Sequence, residues 1–300
     1  GDRLSVDFFT ARLKNARVYR EQAGVELGAA RLVYGESDEL PGLVIDRYGP
    51  AAVVELLSAG MERHRAELAA ALQAVFPELS GALLRKDSAL RRLEGLPEGP
   101  DETLFGEVPD EVGVDMEGLS WKLALAGGQK TGFFLDQREN RLHVRALAKG
   151  LRVLDVFCNQ GAFALQAALG GATELTGVDA SAEAVAAAKG HAAANAQRFA
   201  AARLEFIERD AFQFLEDAVR RKERWDLVIV DPPAFARTKK KASAALHGYE
   251  RLNALALRAV SHGGFLATGS CSMHVEEDRF FNAVGKAARE QQKRLVWVRR

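Results

Sequence analysis

From about residue 150 onward, short apolar runs alternate with helix-forming stretches, and no other feature constrains the fold as much. The strand segments are LRVLDVF, TELTGVDA, LEFIERDA, WDLVIVDPP, GGFLATGSCS and a final RLVWV. Between them lie GAFALQAALGG, the alanine-rich SAEAVAAAKGHAAANA, FQFLEDAVRRK, YERLNALALRAV and VEEDRFFNAVGKAARE. A strand followed by a helix and then another strand implies a crossover, hence a parallel sheet with helices on both faces. Sheets of this kind bind ligands beyond the carboxyl ends of their strands. The alanine of residues 181–202 is helix-forming rather than low-complexity, and no repeat period of about 20–50 residues marks a solenoid.

The first part of the chain has another rhythm. Residues 7–22 place Phe9, Leu13 and Ala16 on one helical face with Tyr19 at its edge. ARLVYG, GLVIDRYG and AAVVELLSAG read as strands, MERHRAELAAALQAVF as a helix closed by Pro77, and GALLRKD, EVGVDMEG and LSWKLALAG as strands again. The expectation is a small α+β domain over residues 1–127 and an α/β domain over 128–300, which suits a chain of 300 residues. No run approaches the roughly 20 apolar residues of a membrane span, and no charged-then-apolar leader opens the chain. Two cysteines, Cys158 and Cys271, cannot build a disulfide framework, which fits a reducing cytoplasm, and six scattered histidines argue against a zinc site. The 41 basic and 41 acidic residues cancel, which excludes attachment to nucleic acid by an overall field. Local patches remain at Arg237 with Lys239, Lys240 and Lys241, and at Arg220, Arg221, Lys222 and Arg224, where solvated surface is the simplest reading.

Acids stand at or just after the ends of four strands: Asp155, Asp179, Asp210 and Asp231. There they would face the ligand crevice, with Asp179 at the end of the second strand suited to a ribose diol. Any one of them could instead cap the following helix, and Asp179-Ala180-Ser181 has the right residues for that. The loop DVFCNQGAFAL can present backbone N–H groups to a ligand. It holds only Gly161, whereas a dinucleotide fingerprint needs three spaced glycines. A pyrophosphate cofactor is therefore disfavoured, and S-adenosylmethionine, with ribose and adenine but no phosphate, fits better. Cys158 in this loop reads as packing rather than as a nucleophile.

With those residues in view, the chain resembles the bacterial class I methyltransferases that form 5-methylcytosine in large-subunit (23S) ribosomal RNA. GQKTGFFLDQRENR at 128–141, LDVFCNQGAFAL at 154–165, VDPPAFAR at 230–237 and GSCSMHV at 269–275 carry the resemblance, and RLVYGESDELPGLVIDRYG extends it into the small domain. The implied fold is a Rossmann-like α/β sheet preceded by a small α+β, RNA-side domain. The implied cofactor contacts come from Gln129, Lys130, Thr131, Phe133, Asp136 and Arg138, then from Asp155, Phe157 and Gly161, then from Asp179, Ala180, Asp210 and Ala211. Such enzymes carry a PUA-type RNA-binding domain before the position of residue 1 and a further strand after Arg300. The expectation is thus a methyltransferase domain lacking its last strand. The implied partner is 23S ribosomal RNA, free or within an assembling large subunit, with room for a homodimer.

Asp-Pro-Pro followed by an aromatic also occurs in enzymes that methylate exocyclic amines, where acid and backbone orient an NH₂ group. Carbon-5 of cytosine poses a harder problem, because it is too weak a nucleophile until a thiolate adds to C6. The strand after VDPP in sequence ends in GSCS, so Cys271 and Asp231 can face one base. Cys271 is the expected nucleophile and Asp231 the partner of N3. Cys271 could instead be a small buried strand residue. Arg237, Lys239 or His274 could lower the thiol pKa. Pro232 and Pro233 stiffen the loop, Phe235 can stack on a flipped base, and Arg237 and Lys239 can meet phosphates. Two other readings stay open here: an exocyclic-amine or guanine-N7 methyltransferase of the same fold, and a non-catalytic RNA-binding module.

Overall fold

In the computed structural model, which describes residues 4–97, 99–125, 133–199, 202–236 and 242–299, the polypeptide divides into two units, Gly1–Arg138 and Glu139–Arg300. The first unit opens with α1 (Val6–Gln22), capped by Ser5, whose hydroxyl accepts from the Phe8 N–H. Phe9, Leu13 and Ala16 are buried, as the helical spacing predicts, while Tyr19 is exposed. A five-stranded sheet runs β1 (Ala29–Tyr34), β2 (Leu43–Tyr48), β3 (Ala51–Leu56), β4 (Gly81–Arg85) and β5 (Glu102–Gly106) in that spatial order. All its pairings are antiparallel except β3 with β4, which need a crossover.

The crossover is made by α2 (Ala59–Arg63) and α3 (Arg65–Val75), not by the single helix expected from the apolar spacing. His64 leaves helical dihedrals and serves both as the end of one helix and the start of the other. Phe76 then leaves helical dihedrals at φ −124° and ψ 68°, in keeping with the helical region being disfavoured before proline. Leu32, Ile45, Val54 and Leu84 from the strands pack with Phe9, Leu13, Leu68 and Leu72 from the helices into one core. Strand β5 and the short α4 (Ala89–Leu93) have weak local signals and are additions to the sequence reading. β6 (Glu111–Met116) and β7 (Leu119–Ala124) form a hairpin. Its turn residues Glu117 and Gly118 both have positive φ, 54° and 80°, the two-residue geometry that matches strand twist.

The second unit begins with α5 (Arg138–Leu147), whose first residue closes the preceding unit. Strands and helices then alternate: β8 (Arg152–Val156), α6 (Ala162–Leu169), β9 (Glu174–Asp179), α7 (Ala182–Ala194), β10 (Arg203–Glu208), α8 (Ala211–Arg220), β11 (Trp225–Val230), α9 (Ala242–Ala259), β12 (Val260–Thr268) and α10 (Glu277–Glu290). The sheet order is β10-β9-β8-β11-β12 with every pairing parallel, so the expected α/β class holds. The first strand in sequence lies in the middle, and the direction of winding reverses between β8 and β11, where such sheets open a crevice. Leu154, Val156, Val228 and Val230 bury one face of the sheet under Phe214, Leu215, Leu252 and Ala256 of α8 and α9. The expected final strand RLVWV is not formed. Its β-favouring residues find no ladder, and Val296 and Val298 are exposed. Trp297 is held by its side chain instead, edge-on to Phe281 at 4.7 Å between ring centroids.

Candidate active site

Alternation along the strands sets which acids meet. Asp155 is paired with Gly177 of β9 and Ile229 of β11, so Asp179 and Asp231, each two residues further on, project to the same side of the sheet. Asp155 is enclosed: Oδ2 accepts from the Ala164 N–H at 3.0 Å, and no donor among the described residues reaches the buried Oδ1. Burial pushes its pKa up to about 8, opposed by the Ala164 hydrogen bond and helped by the Asp231 and Asp179 charges. Asp179 is half-buried and accepts from the Asn159 N–H through Oδ2 and the Ser181 N–H through Oδ1, both at 2.9 Å. Ser181, not Asp179, caps α7, and Ala180 lies exposed between them.

Asp210 stands apart from the other three. It is exposed, and its Oδ1 accepts from the Gln213 N–H at 2.9 Å, so it caps α8, whose first residue is the buried Ala211. The capping alternative describes its contact.

The loop after β8 is tightly wound. Phe157, Asn159 and Gly161 all have positive φ, of 66°, 47° and 83°. A Cβ on Gly161 would stand 3.2 Å from Ala188 Cβ and 3.3 Å from the Phe206 ring, so glycine is required there twice over. The expected display of backbone N–H groups does not arise from residues 157–161, whose amides are used internally. Phe157 and Cys158 donate to the Val178 carbonyl, Asn159 to Asp179, Gln160 to Asn159 Oδ1, and Gly161 to the Cys158 carbonyl. The crevice therefore offers carboxylates in place of amides. Asp155 keeps its proton at neutral pH, so it is Asp179 and Asp231 that repel a phosphate and favour a cationic ligand carrying hydroxyls. Among the described residues no three His, Cys, Asp or Glu side chains are arranged to hold a metal ion. Cys158 is buried, and burial, followed by the Asp155 and Asp179 charges, raises its pKa so far that it stays a thiol.

Cys271 differs in every respect. It lies in the loop after β12, is exposed, and its thiol donates to the Pro232 carbonyl at 3.6 Å. Val230 of β11 is paired with Thr268 of β12, so Asp231 and Gly269 leave the sheet side by side. A Cβ added to Gly269 would lie 3.4 Å from Asp231 Oδ1. The loops bearing Cys271 and Asp231 thus meet at the crevice edge. Pro232 is buried and Pro233 exposed, while Phe235 is half-buried with its ring 4.7 Å from that of Tyr249.

Sequence reasoning missed Ser272 and Tyr249. The Ser272 hydroxyl accepts from the Ala236 N–H at 3.2 Å and pairs with the Tyr249 hydroxyl at 2.8 Å, beneath both loops. The second serine of Ser-Cys-Ser was the only local signal.

In the first unit, Phe133 is buried with its ring 5.0 Å from that of Trp121, and its N–H and carbonyl both bond the Tyr48 hydroxyl at 3.2 Å. Asp136 is exposed in a short turn, and Arg138 opens α5. Gln129, Lys130, Thr131, Arg237 and Lys239 lie outside the described residues.

Comparison with known proteins adds to this geometry. The S-adenosylmethionine-dependent methyltransferase family profile matches residues 78–289. A ribosomal RNA large subunit methyltransferase I of Tolumonas auensis is 40% identical over 291 residues, covering 96% of this chain and 72% of the relative. A Streptococcus mutans protein assigned as a SAM-dependent methyltransferase superposes with a TM-score of 0.81 at 26% identity, over 97% of this chain and 74% of its own. A solved methyltransferase complexed with S-adenosylhomocysteine matches with a TM-score of 0.81 at 27% identity, over 96% and 73% of the two chains.

Proposed function

The chain belongs to the bacterial S-adenosylmethionine-dependent methyltransferases of large-subunit ribosomal RNA, and from that premise we propose that it forms 5-methylcytosine in 23S ribosomal RNA. The residues present fit the family's cofactor. S-adenosylmethionine carries a sulfonium, an ammonium and a carboxylate beside its ribose diol. The Asp179 carboxylate suits the diol, with Asp155, protonated at neutral pH, enclosed behind it, and such a crevice does not suit a phosphate. Asp179 is our choice for the ribose hydroxyls. When bound, the cofactor supplies an electrophilic methyl group.

The observation that carries the finer reading is Cys271: an exposed thiol 3.6 Å from the carbonyl of Pro232, the neighbour of Asp231. In this reading the Cys271 thiolate adds to C6 of cytosine and forms an S–C bond. Asp231, as a carboxylic acid, supports N3 while electron density moves to C5. After C5 takes the methyl group, a base removes the C5 proton and the S–C6 bond breaks, returning the thiolate. Cys158, enclosed and held as a thiol, has no part in this.

The other assignments are proposals of the same standing. Gln129, Lys130, Thr131, Phe133, Asp136, Arg138, Phe157, Gly161, Ala180, Asp210 and Ala211 serve the cofactor. Pro232, Pro233, Phe235, Arg237 and Lys239 serve the RNA. The first unit is the RNA-side domain, and the substrate is the RNA itself or an assembling subunit. The proposed site of action is the cytoplasm, where the ribosomal RNA substrate is found; no helix among the described residues is long and apolar enough to cross a membrane.

An RNA substrate with fluorine at C5 of the target cytosine tests the chemistry. Fluorine cannot leave as a proton, so the reaction should stall after methyl transfer with the enzyme bound to RNA through Cys271. Cys271→Ser should lose the adduct and nearly all turnover while still binding cofactor. Asp231→Asn should slow turnover by about 10²-fold or more, the scale of acid–base assistance. Absence of a denaturation-resistant complex, together with an active Cys271→Ser enzyme, would return the Asp-Pro-Pro loop to amine methylation.

A further inference from the structure

Three chain segments meet at one buried oxygen beneath the site. Ser272 is 4% exposed and Tyr249 is fully enclosed. Ser272 Oγ accepts the Ala236 N–H from the end of the Asp-Pro-Pro loop at 3.2 Å, and shares a hydrogen bond of 2.8 Å with the Tyr249 hydroxyl on α9. Ser272 directly follows Cys271. Its N–H donates to Ser270 Oγ at 3.3 Å, and its carbonyl accepts from the Val275 N–H at 3.0 Å, closing a turn around Met273 and His274. The Tyr249 ring packs 4.7 Å from Phe235 and edge-on to Phe280 at 5.3 Å, within a cluster that also holds Ala236, Ala245 and Val284.

Filling that cluster requires none of this polarity. Phenylalanine at position 249 would occupy the same space without a hydroxyl to satisfy, and although Ser272 also serves the buried Ala236 N–H, that amide needs no tyrosine hydroxyl beside it. What the hydroxyls add is a fixed distance between two loops whose other contacts lie at the crevice rim, among them Cys271 with Pro232. At the rim the Cys271 thiol reaches the Pro232 carbonyl at 3.6 Å, a weak donor on a long bond. The serine that follows it in the chain is the firmer anchor.

We propose that the Ser272–Tyr249 pair is a positioning element for methyl transfer, holding the Cys271 loop in register with the loop that carries Asp231. The proposal rests on the reading of Cys271 as nucleophile. Neither hydroxyl touches substrate; both act through the thiol's placement, where an error of about 1 Å can cost about 10²-fold in rate.

Tyr249→Phe keeps the ring contacts and removes one hydroxyl, Ser272→Ala removes the other, and Ser272→Thr retains it. Each of the first two should lower kcat by about 10- to 100-fold, with the KM for RNA and the affinity for S-adenosylmethionine changed less than about twofold. The double variant should lose no more than the worse single one, because both break the same junction. Ser272→Thr should recover most of the rate. Adduct formation with the 5-fluorocytosine substrate should slow in step with kcat. If the parent enzyme forms that adduct and both variants form it equally fast at unchanged kcat, with only their melting temperatures lowered, the hydroxyls are structural and the proposal is overturned. A parent enzyme that methylates RNA without any adduct instead refutes the nucleophile, and the proposal falls with it.

Discussion

Replacing Asp155 by asparagine should change the shape of the stability curve against pH, not merely its height. The side chain is enclosed, with Oδ1 unpartnered among the described residues and the Asp231 and Asp179 charges nearby, and its pKa is raised from 3.8 to about 8. Between those values the folded chain keeps a proton that the unfolded chain has released, so unfolding releases a proton. Stability therefore falls as pH rises through this window, by up to about 1.4 kcal/mol per pH unit, and the cost is constant above it. Asparagine cannot ionise in either state and removes that slope. It can still accept from the Ala164 N–H, but it places an amide NH₂ where the buried Oδ1 was, a cost of about 1–3 kcal/mol if no acceptor is found. At pH 5 the two effects nearly cancel. At pH 7.5 the variant should be more stable by about 2–3 kcal/mol, so the gap widens by about 3 kcal/mol between the two. Urea unfolding of both proteins at several pH values, followed by fluorescence that includes the buried Trp225, measures it. Parallel curves for parent and variant between pH 5 and 8 would show that Asp155 is ionised in the fold and that its environment has been misjudged.

Asp179→Ala should weaken S-adenosylmethionine binding by about 1.5–3 kcal/mol in a calorimetric titration, the scale of lost charged hydrogen bonds; a folded variant of unchanged affinity would mean the ribose lies elsewhere. Because Asp179 also accepts the Asn159 N–H, the same variant should loosen the loop after β8, seen as faster amide exchange at residues 157–161. Gly161→Ala should destabilise the second unit by about 2–4 kcal/mol, combining a left-handed alanine with contacts of 3.2 and 3.3 Å to Ala188 and Phe206. A urea midpoint within error of the parent's would remove Gly161 from the residues that shape the crevice.

What the sequence disclosed follows from which forces are local. Apolar runs alternating with helix formers are written along the chain, and they fixed the parallel sheet, the opening helix and the acids at the strand ends. Pairing is not local. RLVWV has the β-favouring residues a strand needs and forms none, while Glu102–Gly106, with two exposed residues at its start and a glycine at its end, is a strand because β4 offers it an edge. The helix over residues 61–76 has unbroken apolar spacing, yet it breaks at His64. The strand-end acids show the same limit in the site. Identical residues in similar positions became a buried acid held near neutrality, a loop clasp and a helix cap, according to which amides the fold brought to them. Ser272 and Tyr249 mark the far end of that scale. Tyr249 sits on the buried face of α9 with Leu252, Asn253 and Ala256, so from the sequence it reads as one more core residue. Its hydroxyl meets a serine 23 residues away, and that serine meets an amide 36 residues back. No period or motif records such a junction, because each partner is ordinary alone. It becomes visible only when the loops after β11 and β12 are seen to leave the sheet side by side, and there a buried hydroxyl pair is the contact that sets where the thiol can stand.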